Sequence, residues 1–247
     1  MFHMVINKFV ILFLILAILS PNYSFAALSI GGEIGANFTN TVNLSAKAGT
    51  TPVTIPGTSI DVAVLSGIIV KYYFIDKGFL SYDWPSWMEN ISFAVDCTHN
   101  RVIFINQPGI FTNKGNRTYW SPFIIPTFNG NFFTLSFLFN YRIPLIKSRD
   151  FSDGRLFFYA GAGPGITFSS IEANSPGVGR GSASAATLVA ESGFSLFALK
   201  DVSVDLFFRY RYCNLGYKFD KGDSRPPLEL KIENNTFNGG LRIAYHF

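Results

Sequence analysis

Apolar and polar residues take turns along most of this chain. Leu28, Ile30, Gly32, Ile34, Ala36 and Phe38 alternate with Ser29, Gly31, Glu33, Gly35, Asn37 and Thr39. A period of two marks a strand whose two faces meet different surroundings. The pattern recurs over residues 60–74, 91–98, 133–143, 156–166, 188–196, 202–212 and 237–247, which predicts eight strands in all. In the second of them, Ile60, Val62, Val64, Ile68, Val70, Tyr72 and Phe74 form the apolar face, and Asp61, Ala63, Gly67, Lys71 and Tyr73 the other. Each segment is near the roughly 9–11 residues that a tilted strand needs to cross a bilayer.

The connections alternate in length. Those around 40–58, 99–130, 169–186 and 214–235 are long and polar, whereas those around 144–154 and 199–201 are short. Long loops at one end and short turns at the other predict an all-β fold, an antiparallel up-and-down transmembrane barrel of eight strands. Two apolar pieces within 99–130, Val102–Ile105 and Phe123–Ile125, could extend the flanking strands or form a further hairpin, which leaves ten strands open.

Charge decides which face is outside. The apolar faces carry no Asp, Glu, Lys or Arg. The opposite faces carry Glu33, Asp61, Lys71, Asp96, Arg142, Glu191, Asp205, Arg209, Arg211 and Arg242. An Arg or Lys on a lipid face at mid-membrane costs about 2–4 kcal/mol, so the charge-free faces are expected to meet lipid and the charged faces the lumen. Tyr72, Phe74, Tyr141, Tyr210, Tyr212, Tyr245 and Phe247 lie near strand ends and suit aromatic girdles. Composition agrees. Hydrophobic residues make up 48% of the chain and charged ones 15%, against about 25% charged in an ordinary soluble domain. The apolar run Phe9–Leu19 follows Lys8 and precedes Ser24-Phe25-Ala26. It is too short to span a bilayer and reads as a signal peptide over 1–26, cleaved after Ala26, with one barrel domain over 27–247.

Three segments carry a family resemblance. The terminal run Leu241–Phe247 (LRIAYHF) resembles the C-terminal insertion signal of bacterial outer-membrane barrels, with Tyr245 and Phe247 at the aromatic positions. Tyr159–Phe168 (YAGAGPGITF) and Phe208–Gly216 (FRYRYCNLG) look like the small-barrel superfamily of OmpA-like, opacity-protein-like and OmpW-like proteins. The resemblance implies an eight-stranded barrel in the bacterial outer membrane. It also implies lipid and lipopolysaccharide as surroundings, and contact with the outer-membrane assembly machinery. It does not imply one activity, since members act as anchors, adhesins, surface antigens or narrow conduits. No periplasmic peptidoglycan-binding domain is expected beyond the barrel.

An eight-stranded barrel is just wide enough for side chains to fill. Five acids and five bases facing inward are therefore expected to pair as a lumen ion-pair network, because unpaired buried charges are costly. This favours a structural or surface-interaction role, with a host or surface ligand on the long loops. The alternative is a narrow porin or a conduit for small or hydrophobic solutes. Lipid-A modification is a more remote alternative. His3 leaves with the signal peptide, and His99 and His246 stand apart from any Ser in a recognisable motif, so no catalytic, metal or cofactor residue is assigned. The net charge of +4 is spread without a basic block, which argues against nucleic acid. A monomer with free Cys97 and Cys213 is expected.

Overall fold

The computed structural model describes residues 28–39, 41–48, 51–61, 63–74, 85–105, 107–113, 117–125, 127–148, 151–173, 179–219 and 228–247. The predicted signal peptide and residues 220–227 of the expected loop around 214–235 lie outside the described residues.

Twelve strands are described: β1 (Leu28–Asn37), β2 (Thr41–Ala48), β3 (Thr51–Ser59), β4 (Val64–Tyr73), β5 (Ile91–Phe104), β6 (Gln107–Asn113), β7 (Arg117–Ile125), β8 (Phe128–Ser148), β9 (Phe151–Ala173), β10 (Arg180–Leu199), β11 (Val202–Phe219) and β12 (Leu228–His246). Eight of them close a ring in the order β1-β4-β5-β8-β9-β10-β11-β12, with β12 pairing back onto β1. All ring pairs are antiparallel. The ring therefore has eight strands rather than ten. β2 continues β1 alongside β12, and β3 pairs with β2 and leads into β4. β6 and β7 form the further hairpin, beside β3. No helix of the described residues is long and apolar enough to cross a membrane; strands make the crossing.

The chain enters at the lower end with Leu28 and returns there with Phe247, whose N–H donates to the Leu28 carbonyl at 2.9 Å. The tight turn at Lys200 and Asp201 lies at this end. At the other end, the long polar loops expected around 169–186 and 214–235 are largely strand: β9 runs for 23 residues, β10 for 20, β11 for 18 and β12 for 19. These strands run well past the roughly 9–11 residues that span a bilayer.

The pattern itself shows where the membrane stops. Low on β11 the outward residues are Val204, Leu206, Phe208 and Tyr210, and the inward ones are Ser203, Asp205, Arg209 and Arg211, with Phe207 among them. Above Tyr212 the inward set becomes Cys213, Leu215, Tyr217 and Phe219, and the outward set Asn214, Gly216 and Lys218. The strand does not change which residues face in; the apolar residues change sides. β12 does the same, with Leu230 and Ile232 buried inside while Phe237, Leu241 and Ile243 are exposed outside. Lipid surrounds the lower belt, so apolar groups face out there. Water surrounds the upper part, so its apolar groups must fill the interior. Val42, Leu44, Val102, Phe104, Phe128, Phe132 and Ile171 join the β11 and β12 residues in that upper core.

One expected face is wrong. Asp61 was expected inside the lumen and is exposed, whereas Ile60 is buried at 7%. The cause is a bulge. Leu65 lies opposite Asn100 and Ile60 opposite Phe104, five steps on one strand against four on the other. One extra residue turns every side chain beyond it to the other face.

Pro164 sits within β9. The β8–β9 register runs from Ser136–Gly165 to Phe139–Ala162, three steps on both strands, so no bulge forms there. The glycines beside it allow close approach. A Cβ at Gly165 would lie 2.8 Å from the Leu135 carbonyl oxygen, and one at Gly163 would overlap that of Phe137.

Candidate functional site: the filled lumen

The lumen is closed at three levels. The middle one is ionic. Arg209 on β11 and Arg242 on β12 rank among the largest fully buried side chains, at 1% and 0% exposure. Period-two alternation points both inward, and the inward face holds little else that could solvate them. Arg209 Nη1 donates to Glu33 Oε1 at 2.8 Å and its Nη2 to Glu33 Oε2 at 3.1 Å, a bidentate pair across from β11 to β1. Its Nε donates to Glu191 Oε2 at 2.8 Å, and Nη2 meets the same oxygen. Asp96 Oδ2 lies 3.2 Å from Nη1. Arg242 Nη2 reaches Glu33 Oε2 at 2.8 Å and Glu191 Oε1 at 3.0 Å, and its Nη1 lies 3.4 Å from Asp205 Oδ2. Both guanidinium groups lie over the buried Phe207 ring, at 5.0 and 5.1 Å from its centroid.

The network reaches further in both directions. Lys71 Nζ donates to Asp205 Oδ2 at 3.3 Å, and Ser195 and Ser203 donate to Asp205 Oδ1 at 2.7 and 3.1 Å. Arg211 lies 3.8 Å from Asp96 and donates to Thr98 Oγ1 at 2.6 Å and Asn238 Oδ1 at 3.2 Å. Four carboxylates (Glu33, Asp96, Glu191, Asp205) thus face four cations (Lys71, Arg209, Arg211, Arg242), and their charges cancel. Of the ten residues expected in the network, Asp61 stands outside the lumen, as above, and Arg142 lies at the lower mouth.

There Arg142 belongs to a different seal. Its guanidinium sits over the Tyr73 ring at 4.6 Å and the Phe157 ring at 5.0 Å, and Nη2 donates to the Glu89 carbonyl at 3.1 Å. Phe157 packs edge-on against Phe197 at 5.8 Å, Phe197 against His246 at 4.6 Å, and His246 against Tyr73 at 5.9 Å. Five side chains from β4, β8, β9, β10 and β12 therefore form a closed circuit across the mouth. Charge alone marks Arg142 in the sequence, whereas its aromatic neighbours Tyr73 and Phe157 are marked only by their inward parity.

The third closure is the upper apolar core. Beneath it, hydroxyls bridge neighbouring strands: Thr134 meets Thr167 at 3.0 Å and Thr167 meets Thr187 at 2.6 Å. Tyr217 donates to Ser169 Oγ at 2.6 Å, and burial pushes its phenol pKa up, so it stays a neutral donor.

The two histidines of the barrel are far apart in role. His99 is exposed on the outer face of β5. His246 Nε2 lies 3.0 Å from Ser203 Oγ, but the Ser203 hydroxyl donates to Asp205. A nucleophilic triad needs the carboxylate on the imidazole, and here it is on the serine. Among the described residues no group of His, Cys, Asp or Glu is placed to hold a metal ion. Cys97 lies half-buried on the outer face, and Cys213 is buried inside; both are free thiols. Unfolded, unreduced protein should accordingly gain two alkyl groups in a mass spectrum. A mass showing none would reveal a disulfide.

No protein-family model matches this chain, and no curated protein matches it. Solved structures do. The outer membrane protein OprG of Pseudomonas aeruginosa superposes with a TM-score of 0.59 at 11% identity, over 89% of this chain and 95% of that one. Neisserial surface protein A gives 0.43 at 12% identity, over 89% and 97%. The N-terminal barrel domain of Pseudomonas aeruginosa OprF gives 0.42 at 13%, over 90% and 98%. At such identities the likeness is one of fold. The ring of eight strands, the apolar belt and the OprG superposition together define a small β-barrel of the outer-membrane type.

Proposed function

We propose that this protein is a closed, non-conducting barrel of the bacterial outer membrane that holds a water-exposed upper barrel above the lipid for surface interaction. The single observation behind this reading is the complete burial of Arg209 and Arg242 among cancelling carboxylates. A water-filled pore would leave such groups wet. The cost of stripping water from eight charges is offset only by tight mutual pairing, and that pairing occupies the lumen. The extended strands support the second half of the reading, because they build an apolar-cored extension beyond the lipid belt.

Planar-bilayer recording on refolded protein tests it. The wild type should insert without conductance steps. Reproducible steps that disappear on replacing Arg209 or Arg211 would mean that the lumen conducts. For surface interaction, deletion of residues 220–227 should reduce binding of whole cells to a host matrix; equal binding would remove that connection from the role.

A further inference from the structure

The outer faces of β11, β12 and β2 meet in a set of rows that the lumen does not explain. Tyr210 lies opposite Phe237, with ring centroids 5.0 Å apart. Tyr212 and Asn235 form the next row up. Above it Asn214, Glu233 and Asn43 line up across three strands, and above them Gly216, Lys231 and Ser45. Asn43, Ser45, Asn214, Lys231 and Glu233 are all exposed. Together with Gly216 and the strand positions of Leu44, Leu215 and Ile232 they border a concavity of about 540 Å³. A second one of about 340 Å³ shares Asn43 and Glu233 and runs down to Thr39, Asn235 and Phe237. Gly216 leaves the first one open, since a Cβ there would meet nothing within 4 Å.

We infer that this concavity binds the sugar headgroup of a glycolipid in the surrounding leaflet. The inference rests on the reading that the lower belt lies in the outer membrane. Three features carry it. The first is level: the rows begin where apolar residues leave the outer face, directly above the Tyr210–Phe237 pair, and aromatic pairs of this kind sit at the headgroup level. The second is position. The lower concavity shares Asn43 and Glu233 with the upper one and is lined by Phe237, an exposed residue of the apolar belt, so the two together reach from the belt to the polar rows. The third is chemistry. A site for a bare anionic headgroup would gather cations, but here a carboxylate occupies the centre of the main row. Amides and a carboxylate suit hydroxyl-rich rings, and Lys231 supplies a point charge for a phosphate substituent. Asn43 Nδ2 donates to Glu233 Oε2 at 3.5 Å, and Asn214 Nδ2 to the Tyr212 hydroxyl at 3.2 Å, which fixes the two amides on either side of the carboxylate.

The test uses the full chain refolded in detergent, with rough-type lipopolysaccharide, its soluble core oligosaccharide and phosphatidylglycerol as probes in titration calorimetry. Gly216→Trp fills the concavity from a point where an added side chain has room. It should weaken lipopolysaccharide binding at least about ten-fold, as expected when two or so polar contacts are lost. The double variant Asn43→Ala/Glu233→Ala should do the same. Both should keep the heat-modifiable gel migration of a folded barrel and unchanged phosphatidylglycerol binding. Unchanged lipopolysaccharide affinity in Gly216→Trp would overturn the site. Phosphatidylglycerol binding as tight as lipopolysaccharide would reduce the face to a general anionic-lipid surface. Core oligosaccharide binding as tight as the whole glycolipid would assign the face to a free glycan from the water side instead. A wild type that does not insert into vesicles would overturn the membrane reading itself, whatever its sugar affinity.

Discussion

Replacing Arg209 with alanine should destabilise the folded barrel by about 3–5 kcal/mol, the usual cost of removing one partner from a buried ion pair. The reason lies in what is left behind. Arg209 touches Glu33, Glu191 and Asp96, and each of these is at most 5% exposed. Without the guanidinium, Arg242 remains on Glu33 and Glu191, but Asp96 keeps only Arg211 at 3.8 Å. A carboxylate in that position is buried with little to balance it. Urea unfolding in lipid vesicles, followed by heat-modifiable gel migration, measures the loss. Combining Arg209→Met with Asp96→Asn should recover much of it, because a cation leaves together with the carboxylate it would strand, and three cations still face three carboxylates. A loss below about 1 kcal/mol for Arg209→Ala would mean that water reaches the site and the pairing is that of an exposed surface.

Leu241→Arg should cost about 2–4 kcal/mol in the same assay, the price of a cation on a lipid face at mid-membrane. Leu241 is 53% exposed on the outer face of β12, four residues below Phe237 and four above Tyr245, and so lies midway between the two aromatic ends. Asn235→Arg provides the contrast. It lies on the same strand and face, six residues higher and above the point where apolar residues change sides. A surface position of that kind should shift stability by no more than about 0.5 kcal/mol. Equal costs at the two positions would place both in one solvent and remove the boundary.

Much of this barrel is legible in the chain because alternation is a local property. Each strand shows its two faces within ten residues, and the absence of charge on one face says that lipid lies beyond it. Sequence alone therefore determines the barrel class, the lipid belt and the inward direction of Glu33, Lys71, Asp96, Glu191, Asp205, Arg209, Arg211 and Arg242. The exchange of apolar character between faces at Tyr212 to Leu215 was also there to be read. Against an expectation of polar loops it looked like the end of a strand, when it marked the end of the lipid.

Tertiary structure decided the rest. A bulge inserts one residue without leaving a mark in composition, and the bulge before Leu65 put Asp61 outside. Arg142 carries the same charge as Arg209, yet it stacks between Tyr73 and Phe157 at the mouth while Arg209 lies deep in the ionic layer. Which inward residues share a level depends on how the strands are staggered when the ring closes, and stagger is set by pairings between segments up to about two hundred residues apart, such as Glu33 with Arg242. Local alternation gives the direction of a side chain, and only closure of the ring gives its neighbours.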